Sequence, residues 1–188
     1  MDPVELVALL REATFHPYQL GFYLPGGAIP PVPDNCVSVS AGPVVFVVES
    51  RTLDDEAAGM TNGLEPPDDT AEFFEDRGPT LHVFGAADGV EHLRFDCFED
   101  QPHYHYFRSA EKAQIVRRID QYAEGDPLQW AIERVRDRLP EMLEQCGQGE
   151  LAADARANRD LIVGVIEEIE PLLHAARDTA RATYALGR

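Results

Sequence analysis

The sequence predicts an α+β fold, with a small antiparallel β-sheet in the N-terminal half packed against a C-terminal layer of about three helices. Three observations carry this. Residues 80–98 (TLHVFGAADGVEHLRFDCF) alternate in polarity on both sides of a glycine-closed turn, which is a hairpin pattern. Residues 44–50 (VVFVVES) are a short, β-branched apolar run of strand length. Beyond Pro127, apolar residues recur at spacings of three, four and seven, the period of an amphipathic helix. The 188 residues suit a single domain, mainly β over 1–107 and helical over 108–188.

The elements follow in order. A helix is expected over 2–13, with Asp2 as its cap, Pro3 in the first turn and Val4, Val7 and Leu10 on its stripe. Five prolines and three glycines make 14–35 irregular, with Phe15, Tyr18, Phe22 and Tyr23 laid over the core. Cys36–Ala41 alternates as a strand. The run at 44–50 reads as a central strand buried on both faces. Residues 54–76 then carry nine carboxylates and no basic residue, broken by Pro66-Pro67. They predict a long acidic loop, spanning 54–78, without the ligand order of a calcium loop.

The hairpin has a register that can be argued. A three-residue loop, Ala87-Asp88-Gly89, pairs Ala86 with Val90, Val83 with Leu93 and Leu81 with Phe95. One face is then Leu81, Val83, Leu93, Phe95 and Cys97. The other is His82, Phe84, His92, Arg94 and Asp96. A slip of one residue would mix the two sets, so the clean separation selects this loop. His103–Phe107 reads as a third short strand. Helices are expected over 110–123, capped by Ser109 and stopped by Gly125, then from Asp126-Pro127 to Gly147, then over 150–185. The last has a stripe of Leu161, Val165, Ile169, Leu173, Ala176 and Ala180, widened by Ile162, Ile166 and Leu172. That is more apolar surface than a small sheet covers, which points to a homodimer.

Charge narrows the partners. Asp and Glu number 34 against 16 Lys and Arg, for a net charge of −18. Nucleic acid and anionic membranes attract the opposite sign, so neither is expected. A protein with a basic surface is. Lys112 is the single lysine, which points to a GC-rich bacterial genome. No apolar run reaches the ~18 residues of a membrane helix. Three widely spaced cysteines and no leader pattern fit a reducing cytoplasm.

The chemistry concentrates in residues 96–107, DCFEDQPHYHYF. On a strand, residues two apart share a face, so His103 and His105 point together and Tyr104 and Tyr106 point oppositely. Two imidazoles so placed can reach one divalent transition metal. His82, His92, Asp96 and Glu99 are the candidates to complete the set, and Asp96 or Glu99 would make a triad of two histidines and a carboxylate. Arg94 counts against a cation on that face. Arg94, Tyr104 and Tyr106 are candidates for lining a small-molecule pocket. Cys97 falls on the apolar face and reads as a buried hydrophobe. No serine elbow or phosphate-binding glycine loop occurs. Two classes of function follow. One is an accessory or subunit-like protein that binds a partner through its sheet face and helical layer. The other is a metal-binding protein, with hydrolase or oxygenase chemistry, built on the His-Tyr-His strand.

Overall fold

Alternating side chains build the sheet. Over residues 36–54 and 75–118 they sort into one apolar and one polar face, and burial of the apolar face aligns the strands. The structure, a computed structural model, describes residues 22–25, 29–54 and 75–186. The expected N-terminal helix, Phe15, His16 and Tyr18, and the acidic loop between 55 and 74 lie outside these.

The strands are β1 (Phe22–Pro25), β2 (Cys36–Ala41), β3 (Val44–Asp54), β4 (Glu75–Gly85), β5 (Glu91–Asp96), β6 (His103–Arg108) and β7 (Ala113–Arg118). They form one antiparallel sheet in the order β1-β7-β6-β5-β4-β3-β2. From β2 to β7 the chain meanders, and β1 closes the far edge against β7. Four helices follow: α1 (Gln121–Glu124), α2 (Pro127–Gln145), α3 (Gly149–Ala157) and α4 (Arg159–Leu186). The α+β arrangement is the expected one.

Several boundaries move. Residues 113–118, expected in a helix, are strand β7. Lys112 takes a left-handed conformation (φ 49°) that turns the chain back sharply, and the β-branched pair Ile115-Val116 then pairs with β6 on one side and β1 on the other. Two neighbouring strands outweigh the cap and stop signals read at Ser109 and Gly125. Part of the irregular N-terminal segment is strand β1, whose Pro25 is tolerated at an edge. Residues 75–78, assigned to the acidic loop, begin β4, where Gly78 pairs with Arg51. The last expected helix is two, α3 and α4, broken at Asn158.

In the hairpin, Leu81 does face Phe95 and Val83 does face Leu93. Past Val83 the register shifts, so Phe84 meets Glu91 and Gly85 donates to the Val90 carbonyl. The loop is therefore one residue longer than the three expected, with Gly89 left-handed at φ 64°. A β-bulge at His92 takes up the extra residue.

The helices cover the apolar face. Phe46, Val48, Leu81, Val83, Leu93 and Phe95 pack against Leu128, Ile132, Val135, Leu139 and Leu143 of α2, and against Ile162, Ile166, Ile169 and Leu173 of α4. Asp126 caps α2, accepting from the Leu128 and Gln129 amides. The wide stripe of α4 is thus met within the chain: Ile162 and Ile166 are buried, while Leu161, expected inward, is half exposed. The sheet is broad enough to take most of the stripe that had pointed to a homodimer.

Two substitutions test this packing. Phe95→Ala should cost about 3–5 kcal/mol of unfolding free energy, because Phe95 is fully buried. Gly78→Ala should be strongly destabilising, since a Cβ there would stand 2.5 Å from the Cys97 carbonyl oxygen and 2.9 Å from Phe98 Cα, neither of which can swing away. Urea unfolding measures both.

Candidate metal centre

The second face of the sheet is polar and largely buried. Strand pairing puts Glu49 and Arg51 (β3), Thr80 and His82 (β4), Arg94 and Asp96 (β5), and His103 and His105 (β6) on it. Each charge there needs a partner, because an isolated buried ion is very costly.

Three residues converge on a point that suits a cation. Asp96, His103 and His105 each offer one ligand atom, all within 4.8 Å of one another. Asp96 Oδ2 lies 3.0 Å from His105 Nε2 and 3.5 Å from His103 Nε2. Outer partners orient each of them. His103 Nδ1 is 2.7 Å from the Gln101 carbonyl oxygen, which can only accept, so Nδ1 carries the proton and Nε2 of the neutral ring presents a lone pair. His105 Nδ1 faces Gln114 Oε1 at 2.7 Å in the same manner. Thr80 donates to the other carboxylate oxygen of Asp96 at 2.7 Å. At 3.0 Å the His105–Asp96 contact is of hydrogen-bond length, so either a proton on His105 Nε2 or a cation among the three atoms holds the group together.

Burial is the largest influence on His105 and lowers its pKa past the opposing pull of Asp96, so the neutral ring is favoured. Burial alone would raise Asp96. Its contact with His105 and the nearby His103 and Arg94 outweigh that and hold it well below the usual carboxylate range. His105 stacks on Phe107 at 5.4 Å between ring centres, which fixes its plane. Both histidines keep slight solvent access, at 18% for His103 and 12% for His105, whereas Asp96 has almost none.

The other candidates lie elsewhere. His82 is fully buried with Nε2 3.0 Å from Glu49 and Nδ1 2.6 Å from Glu91, so both nitrogens are occupied. His92 sits at the bulge, where its Nε2 is 3.1 Å from Asp88 Oδ2. Glu99 lies out on the surface, bonded to Arg181. Arg94 does not act as a free cation: it grips Glu91 at 2.8 and 2.7 Å and lies over the Phe107 ring. Tyr104 and Tyr106 are on the opposite face, in contact with each other, and Tyr104 also meets Trp130. Arg94 lies across the sheet from them. Cys97 is buried, and burial pushes its thiol far up, as expected of a small core residue.

Sequence reasoning missed Gln101 and Gln114. Gln114 lies on β7, which had been read as helix. Glu49 was also missed, because it ends an apolar run and carries no spacing signal. Its carboxylate joins His82 to Arg51 at 2.6 Å and accepts from the Val32 amide at 2.8 Å.

An α+β protein with a meandering sheet and a buried polar face is the class these observations define. The chain belongs to the family described as Domain of unknown function (DUF7700), whose model matches residues 38–172. That span contains Asp96, His103, His105 and their outer partners. No curated protein and no solved structure matches the chain. Among the described residues, no helix is long and apolar enough to cross a membrane.

The ion network predicts a pH dependence. Burial, the largest influence on His82, lowers its pKa, but Glu49 and Glu91 raise it further than that. A raised folded pKa gives stability that is complete below the unfolded value of about 6.5 and lost as pH climbs through the folded one. His105 has the opposite sign, so its share is lost as pH falls below about 6.5. Urea unfolding across this range should show His82→Asn abolishing the alkaline-side loss and His105→Asn abolishing the acid-side loss. Unchanged profiles would contradict the assignment. Glu49→Gln, which strands His82 and Arg51, should cost about 3–5 kcal/mol.

Proposed function

We propose that this protein binds a divalent transition metal at Asp96, His103 and His105, and that its chemistry takes place there. The observation that carries the reading is the convergence of the three ligand atoms while both histidine Nδ1 atoms are held by outer acceptors. Protein metal sites commonly orient their histidines in this way. Two imidazoles and one carboxylate suit zinc, iron, manganese or nickel. A bound metal would supply a Lewis acid with coordination positions left for water or a ligand, as hydrolase and oxygenase sites do. The residues' own part is to aim three donors from two adjacent strands and to bury the carboxylate.

The accessory-protein reading is less well supported. Its apolar stripe is covered within the chain and much of its polar sheet face is buried, which leaves the net charge of −18 as its main support.

Elemental analysis by mass spectrometry, on untagged protein purified without chelator, tests the proposal. About one equivalent of a single transition metal is expected, falling to near zero in the His103→Ala/His105→Ala double variant. Gln114→Leu should keep the ligands but weaken affinity by roughly 10–100-fold. Metal retained by the double variant would overturn the site.

A further inference from the structure

One carboxylate of the acidic stretch behaves unlike a surface charge. Asp76 stands near the start of β4 and is 2% exposed. Its bonds run to main-chain amides. Oδ1 accepts from Arg77 at 2.8 Å and from Asp100 at 3.2 Å, and Oδ2 accepts from Gln101 at 2.8 Å. Asp100 and Gln101 belong to the exposed loop between β5 and β6. An exposed loop amide is ordinarily answered by water, so a buried carboxylate that takes two of them fixes the path of the loop.

Alternation along β4 puts Asp76, Gly78 and Thr80 on one face, and each meets the next part of the chain that carries the ligands. Thr80 donates to Asp96. Gly78 leaves room for the Cys97 carbonyl and for Phe98, which a Cβ would crowd. Phe98 then meets the His103 ring edge-on, at 5.6 Å between ring centres. Asp76 holds the Gln101 amide, and the Gln101 carbonyl accepts from His103 Nδ1 at 2.7 Å. A path of two hydrogen bonds and one loop residue therefore joins Asp76 to His103. His105 is oriented separately, by the Gln114 side chain of β7.

We propose that Asp76 is a positioning residue of the metal site. By fixing the Gln101 carbonyl it sets the orientation of His103, and through it the affinity for the ion, without touching the ion. The inference rests on the metal reading above and adds a residue that lies outside the three ligands and their immediate partners.

The test uses the full chain with Co²⁺ bound. In proton NMR a paramagnetic Co²⁺ shifts the Nδ1–H of each coordinating histidine into its own far-downfield signal, which fades as the proton exchanges with D₂O. Two such signals are expected. Gln114→Leu should disturb one of them, which assigns the other to His103. Asp76→Asn keeps the side chain's size but turns one acceptor oxygen into a donor that faces an amide N–H. It should speed exchange of the His103 signal, leave the His105 signal as it is, and weaken Co²⁺ binding by roughly 10–100-fold, the usual effect of losing outer-shell support. The wild-type chain offers a second readout that needs no variant: the Gln101 amide should resist exchange although its residue is exposed. Rapid exchange of that amide would overturn the inference even if Asp76→Asn failed to fold. So would an unchanged His103 signal in the variant, or equal disturbance of both histidines, which marks a merely structural role. Co²⁺ not retained by the wild-type chain would bring down the metal reading itself.

Discussion

Pairing of buried charge on the second face of the sheet is the constraint on which the rest depends. Glu49, His82 and Glu91 come from three successive strands and are joined by bonds of 3.0 and 2.6 Å. Arg51 and Arg94 close the two ends of this chain. An ion left without its partner at such burial costs far more than one packing contact. A slip of one residue between β3 and β4 would set Glu49 beside Leu81 and Phe95 on the helix side, so the network enforces register from the polar face as the core enforces it from the other.

The same accounting explains the charge state of the metal position. His82 faces a carboxylate on each ring nitrogen, so both nitrogens hold protons and the ring is a cation. Glu49, Glu91 and Asp96 are then balanced by Arg51, Arg94 and His82. Nothing in that balance calls for a charge on His105, and its burial disfavours one. Arg94 had counted against a cation on this face. Its bidentate grip on Glu91 answers the objection, because its charge is already met.

Much of the site was legible because strand geometry has a strict period. His103 and His105 share a face by spacing alone, and the apolar cluster of Leu81, Val83, Leu93, Phe95 and Cys97 placed Asp96 on the same side as His82 and Arg94. The missed parts were non-local. The bulge at His92 depends on a loop one residue longer than the polarity pattern required. The reading of 110–123 as helix failed because β7 is made by the left-handed turn at Lys112, which folds it onto β6, and by pairing with the distant β1, and Gln114 was lost with it. Glu49 looked like the end of an apolar strand, since a buried carboxylate is recognisable only once its partners are known.

Two histidine sites on one sheet face thus have different fates, and the outer acceptor accounts for the difference. At His82 both acceptors are carboxylates, so the ring is held as a cation with no lone pair to offer. At His105 the outer acceptor is the neutral amide of Gln114, and at His103 it is a backbone carbonyl. Neither favours a second proton as strongly as a carboxylate does. Both rings turn Nε2 toward one shared carboxylate, Asp96. A neutral acceptor behind each imidazole, with a single carboxylate in front of both, is the arrangement on which the proposed cation site rests. A carboxylate on each side of one imidazole makes a structural ion pair.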